Sequence, residues 1–157
     1  MTKAKISLVL RLLALGSTAA AIAIMVTSHE TAKVLNLSFE AKYHNTPAFV
    51  YFVVAEAIAG GYSLVSLLLS CKTLVGRFVM MTDVVIAMLL SSSISAAVAI
   101  GQVGKNGNGH AGWLPICGQV PKFCDQVTGA LIAGFVAAAI YLVLLLCSLH
   151  SLFALKP

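Results

Sequence analysis

Long apolar runs alternate with short polar breaks along this chain. The runs are Ile6 to Val26, Ala48 to Ser70, Phe78 to Ile100 and Gly129 to Leu149. Each reaches the roughly 20 apolar residues needed to cross a bilayer as a helix. The first break, "TSHETAKVLNLSFEAKYHNTP", holds charges, histidines and a proline, and "CKTLVGR" is a short hairpin connection. The third, "GQVGKNGNGHAGWLPICGQVPKFCDQVT", is rich in Gly, Asn and Pro, which interrupt helices. In lipid every backbone polar group must be satisfied internally, and a strand would need only about 10 residues to span. The pattern therefore predicts an all-α membrane protein: one domain over residues 1–157, a four-transmembrane-helix bundle with long connections at 27–47 and 101–128.

Composition agrees: 60% of the residues are apolar, 10% are charged and the mean hydropathy is +0.99. A soluble domain carries about a quarter charged residues. The net charge of +5 does not point to nucleic acid, because the lysines and Arg77 are spread over ends and short connections without forming a basic face. Their distribution reports orientation instead. Lys3, Lys5, Lys72, Arg77 and Lys156 crowd into very short segments. Lys33, Lys42, Lys105 and Lys122 are diluted over the long connections and partly offset by Glu30, Glu40 and Asp125. The positive-inside rule then places both termini in the cytoplasm and the long connections outside. Lys3 and Lys5 before an apolar run, followed by "STAAAIA", also fit a cleaved signal peptide, although Arg11 interrupts its apolar core. Either reading leaves the next connection outside.

An outside location is oxidising, which permits a disulfide between Cys117 and Cys124 of "CGQVPKFC". Two free thiols are the alternative; zinc would lack ligands, since His110 is the only other plausible one nearby and structural zinc takes four. Cys71 and Cys147 end the second and fourth spans on the inner side, as acylation candidates or as inert buried thiols. Asn36-Leu37-Ser38 makes Asn36 a candidate for N-glycosylation. Trp113 beside Pro115 is either an interfacial anchor or a packing residue of the cysteine loop.

Three charges fall inside the spans, where each costs about 2.5 to 3.5 kcal/mol on insertion scales. Arg11 and Asp83 each lie five residues past the inner start of their span. At ~1.5 Å per residue both sit ~7.5 Å deep. They match in depth and oppose in sign, so a bidentate Arg11 to Asp83 pair joining the first and third spans is expected. The competing arrangement has Arg11 snorkelling to the headgroups alone, which would strand the shorter aspartate. Glu56 lies ~12 Å into the second span. It is either an ion or proton relay or a neutral acid hydrogen-bonded to serines or threonines of neighbouring spans. Ser91 to Ser95, "SSSIS", is the other polar stretch at depth, of the kind that usually serves packing. Gly16-x-x-x-Ala20, Ala57-x-x-x-Gly61 and Ala133-x-x-x-Ala137 permit close helix approach, within one chain or between chains. His29, His44, His110 and His150 are scattered, and no H-E-x-x-H, G-x-S-x-G or P-loop is present. Neither an enzyme nor a cofactor is expected.

The arginine at position 11, the aspartate at 83, "LSFEAKYHNTPAFVYF" and "HAGWLPICGQVPKFCDQVTGALIAGF" with its Trp113, Cys117, Phe123 and Cys124 together resemble the Casparian strip membrane protein-like (CASP-like) family of land plants, group one. That family is distantly related to the MARVEL domain. The resemblance covers nearly the whole chain and implies a four-span plasma-membrane protein with cytoplasmic ends. It implies homo- and hetero-oligomers with relatives, and membrane lipid and cell-wall-modifying enzymes as further partners. Arg11 and Asp83 match the family's intramembrane charged positions, and the outer cysteines match its paired cysteines. The founding Casparian members are polymeric scaffolds that block lateral diffusion, attach to the wall and gather lignin-forming enzymes. They carry a longer aromatic-rich stretch where only "HETAKVLN" precedes "LSFEAKY" here. A general scaffold is therefore the implied role, against the alternative of a small proton-coupled transporter or channel using Glu56.

Overall fold

The computed structural model describes residues 3–34, 37–69 and 76–153. Helices α1 (Lys3–Thr27), α2 (Pro47–Leu69), α3 (Gly76–Asn106) and α4 (Pro121–Phe153) are each long and apolar enough to cross a membrane. They pack mainly in ring order, α1 against α2 and α4, and α3 against the same two. The burial pattern is inverted relative to a soluble bundle. Leu13, Leu68, Met81 and Phe135 face outward, while Arg11, Glu56, Ser66 and Asp83 are buried. Lipid accepts the apolar rim, and only the interior can satisfy the polar groups.

The two largest shifts from the predicted boundaries are at the start of α4 and the end of α3. α4 begins at Pro121 rather than Gly129. Proline suits the first helical position, where its missing N–H would have had no partner, and Lys122 and Asp125 are simply the exposed side of that first turn. α3 runs past Ile100 to Asn106 and stops at Gly107, whose φ is +69°. The Gly107 N–H donates to Val103 O at 2.7 Å, a left-handed helix ending that favours glycine. A Cβ there would also lie 2.6 Å from the Trp113 carbonyl oxygen. The second long connection thus shrinks to residues 107–120.

The first long connection is not a plain loop. β1 (His29–Val34) and β2 (Leu37–Lys42) form an antiparallel ribbon running from His29 opposite Lys42 to Val34 opposite Leu37, followed by a short 3-10 turn at Tyr43–Asn45. Its sequence alternates in the strand period: Ala32 is buried and Glu30 half-buried, whereas His29 and Thr31 are exposed. This ribbon and the 107–120 loop lie at the same end of the bundle, the hairpin side. Asn36 and Cys71 lie outside the described residues.

Candidate functional site

The polar centre of the bundle is built on one face of α2. Tyr62, Ser63 and Ser66, with the carbonyl of Ala59, recur at the spacing that aligns residues along one side of a helix. Arg11 of α1 reaches this face and continues to α3: Nη1 donates to Ser66 Oγ at 2.9 Å, and Nη2 donates to Asp83 Oδ2 at 3.0 Å and Oδ1 at 3.2 Å. One guanidinium nitrogen is thus shared between both carboxylate oxygens while the other serves α2, in place of the expected two-nitrogen fork. Arg11 is 6% exposed and Asp83 0%, so the charges neutralise one another inside the protein. The Tyr62 hydroxyl lies 2.8 Å from Asp83 Oδ1 and 2.9 Å from Val79 O, one proton serving the two acceptors. The Arg11 guanidinium carbon sits 5.5 Å from the Tyr62 ring centroid, within cation–π range.

A second layer holds the first. Ser66 donates to Ser63 O at 2.9 Å, and Tyr141 of α4 donates to Ala59 O at 2.6 Å. With its proton on that carbonyl, Tyr141 accepts from Ser63 Oγ at 2.6 Å. The Tyr62 and Tyr141 rings stack with centroids 6.3 Å apart. All four helices meet in this cluster. Sequence reading by charge alone missed Tyr62, Ser63, Ser66 and Tyr141. The signal was available in α2, because its hydroxyls fall near the same end of the bundle as Arg11 and Asp83.

At the hairpin side, Cys117 and Cys124 form a disulfide with Cα atoms 5.7 Å apart. It joins the loop to the first turn of α4. The adjacent Phe123 is buried against Phe49, ring centroids 6.2 Å apart, and its N–H donates to Glu30 Oε2 of the hairpin at 2.9 Å. The Trp113 side chain is exposed, while its backbone pairs with Asn108. Among the described residues no cluster of His, Cys, Asp or Glu is suited to a metal.

A sequence model of the Casparian strip membrane protein domain matches residues 1–140. The chain belongs to the CASP-like family. It is similar to CASP-like protein 1C3 of Populus trichocarpa, 68% identical over 141 residues that cover 90% of this chain and 86% of that protein. CASP-like protein 1C1 of Vitis vinifera is 59% identical over 152 residues, covering 97% and 96%. CASP-like protein 1C1 of Arabidopsis thaliana is 57% identical over 151 residues, covering 96% and 92%. No solved structure matches.

Two further features of this CASP-like bundle depart from expectation. Glu56 is fully buried, yet neither carboxyl oxygen has a hydrogen-bond partner among the described residues. No serine or threonine of a neighbouring span serves it among the described residues, and Ser91, Ser93 and Ser95 donate to the Ala87, Leu90 and Ser91 carbonyls of their own helix. Glu56 faces Gly134 of α4 instead, where a Cβ would lie 2.7 Å from its Oε1 and 2.7 Å from the Phe52 ring. Cys147, expected as an acylation candidate or as an inert buried thiol, is free and exposed on α4, which removes the buried reading. The small-residue pairs divide by face. Ala133 and Ala137 turn inward, whereas Gly16 with Ala20, and Ala57 with Gly61, lie on the outer surface.

Proposed function

We propose that this CASP-like chain is a non-enzymatic plasma-membrane scaffold. Copies of it and its relatives pack side by side into a membrane subdomain, with both termini cytoplasmic. The hairpin and disulfide loop face the cell wall, where the assembly organises local wall modification. The observation that carries this reading is the outward placement of Gly16 with Ala20 and of Ala57 with Gly61. Nothing lies within 4 Å of a Cβ added at Gly16 or Gly61, so both positions leave room for a neighbouring helix to approach the backbone. The interior Arg11 and Asp83 are meanwhile consumed in contacts with each other and with Ser66.

The test is fluorescence recovery of a tagged chain in plant plasma membrane, paired with native size after mild solubilisation. Slow recovery and multimers are expected, with Gly16→Leu and Gly61→Leu shifting the population toward smaller species. Rapid recovery together with monomers sinks the scaffold. A second reading, a small proton-coupled transporter or channel, draws on the Glu56 carboxyl, which has no hydrogen-bond partner among the described residues. It requires a proton flux that Glu56→Gln abolishes, whereas the scaffold requires assembly that Glu56→Gln leaves intact.

A further inference from the structure

The outer side of α3 carries a seam that the bundle leaves open. Met81, Val85, Met88, Ser92, Ser95 and Ala99 follow one another at alternating steps of four and three residues, and all are exposed. Met81, Val85 and Met88 are 67%, 61% and 69% exposed. A three-and-four repeat keeps one stripe of a helix against a neighbour that crosses at about 20°, the usual arrangement of paired membrane helices. Bulky side chains fill the inner half of the seam. The small ones at Ser92, Ser95 and Ala99 let a second backbone come close in the outer half.

That outer half also holds a group which lipid cannot satisfy. The Tyr51 hydroxyl of α2 lies 3.3 Å from Ser92 Oγ, and neither has another hydrogen-bond partner among the described residues. Two hydroxyls bring two protons, and the bond between them uses one. The other proton has no acceptor, unlike those of Ser91, Ser93 and Ser95, which go to carbonyls of α3 itself. Measured from Phe78 at ~1.5 Å per residue, Ser92 lies ~21 Å from the inner boundary, which leaves ~9 Å to the outer edge of a ~30 Å hydrocarbon layer. At that depth neither water nor a headgroup supplies an acceptor, so the proton calls for protein.

We infer that the α3 seam is a docking face for a second copy of this chain, held by the Tyr51 and Ser92 hydroxyls of both copies. Copies inserted in the same direction carry Ser92 at the same depth, so a two-fold axis along the membrane normal brings one hydroxyl pair against the other. The four hydroxyls then close a ring in which each oxygen donates once and accepts once. An unrelated helix would need a matching hydroxyl at this depth, which a second copy has by symmetry. A sterol brings one hydroxyl held at headgroup level, short of the pair.

The inference rests on the reading that the chain self-associates and names a further contact for it. α3 stands across the ring from α1, so the seam and the Gly16 face point to opposite sides of the bundle. Two self-complementary faces on opposite sides extend a row of copies, where one alone would stop at a pair.

The test is oxidative cross-linking, in membranes of expressing cells, of chains with one added cysteine, Cys71 and Cys147 being replaced by serine and the outer disulfide left intact. Ser95 and Ile132 each lie ~25 Å from the inner ends of their spans, Phe78 and Leu149, at ~1.5 Å per residue. Both are exposed. Ser95→Cys is expected to cross-link to a second copy, and Ile132→Cys is not. Energy transfer between labelled chains in liposomes then gives the dimer dissociation constant, measured in a Gly16→Leu, Gly61→Leu chain so that the α3 contact is read alone. Adding Tyr51→Phe with Ser92→Ala should raise it about eightfold, the factor for two membrane hydrogen bonds of average strength. Unfolding midpoints in detergent show whether that chain is folded; where it is not, Ser95→Leu, which crowds the small half of the seam, takes its place. Equal cross-linking at the two positions overturns the seam, as does cross-linking of Ser95→Cys to other proteins alone. An unchanged dissociation constant without the hydroxyls overturns the ring. Dimers that added sterol disperses only while the hydroxyls are present assign the pair to the sterol and overturn self-docking. Multimers without a Ser95→Cys cross-link sink the seam and leave the scaffold standing. A Ser95→Cys cross-link in a chain whose size Gly16→Leu and Gly61→Leu do not change supports the seam and sinks the other face.

Discussion

Glu30 in the β-hairpin accepts the backbone N–H of Phe123, 93 residues away in the first turn of α4, at 2.9 Å. α4 starts at Pro121, so the residue before it, where a capping side chain would normally stand, is Val120, which has no oxygen to offer. The hairpin supplies the missing acceptor from a distance, and its negative charge faces the positive end of the helix dipole.

Glu30→Ala should therefore lower stability by about 0.5–2 kcal/mol, the range for loss of a helix cap. Glu30→Gln keeps an acceptor oxygen and should lose less. Thermal unfolding in detergent compares the two; equal losses from both would mean that charge alone matters.

Breaking the Arg11 to Asp83 pair from either side leaves a charge buried without its partner. Arg11→Ala and Asp83→Ala should each cost about 3–5 kcal/mol, and the double variant should cost clearly less than their sum. A double-mutant cycle on unfolding or on surface delivery gives the coupling. Strict additivity would mean that the two charges are stabilised separately.

Tyr62→Phe removes the hydroxyl between Asp83 and Val79 but keeps the ring beside Arg11. A hydrogen bond to a charged group contributes about 1.5–3 kcal/mol, and a loss in that range is expected. In an Asp83→Ala background the same substitution should cost much less, which a second cycle measures.

Glu56→Met keeps most of the side-chain volume and removes two polar atoms that have no partner among the described residues. A rise in stability of about 1–3 kcal/mol is expected, the range for relieving a buried unsatisfied polar group. Gly134→Ala should act in the opposite direction, because its Cβ would press on Glu56 Oε1 and the Phe52 ring. Denaturation midpoints of the two variants read both effects.

The number and approximate place of the spans were legible because hydropathy integrated over about 20 residues swamps local detail. The ends were not. Lys122 and Asp125 are polar residues that mark loop and helix start equally well, and only the packing of Phe123 on Phe49 and the Glu30 cap decide between them. The hairpin was hidden for a similar reason, since its strands are short and Lys33, Glu40 and Lys42 mask their two-residue period. Depth matching named Arg11 and Asp83, but it weighed charges alone and so passed over Tyr62 and Ser66. Glu56 misled in the other direction, because no serine or threonine of a neighbouring span serves it among the described residues. A hydroxyl at the right depth can spend its proton on its own helix, and composition does not reveal which way it turns.

The distance between Arg11 and Asp83 along the chain, 72 residues, has a consequence for biosynthesis. α1 emerges from the ribosome first, carrying a charge whose counter-ion belongs to a helix not yet made. Until α3 has inserted, the first span carries that charge without its counter-ion. A chain truncated anywhere before residue 83 lacks the carboxylate that Arg11 pairs with, so the same pair that closes the finished bundle also distinguishes an unfinished one.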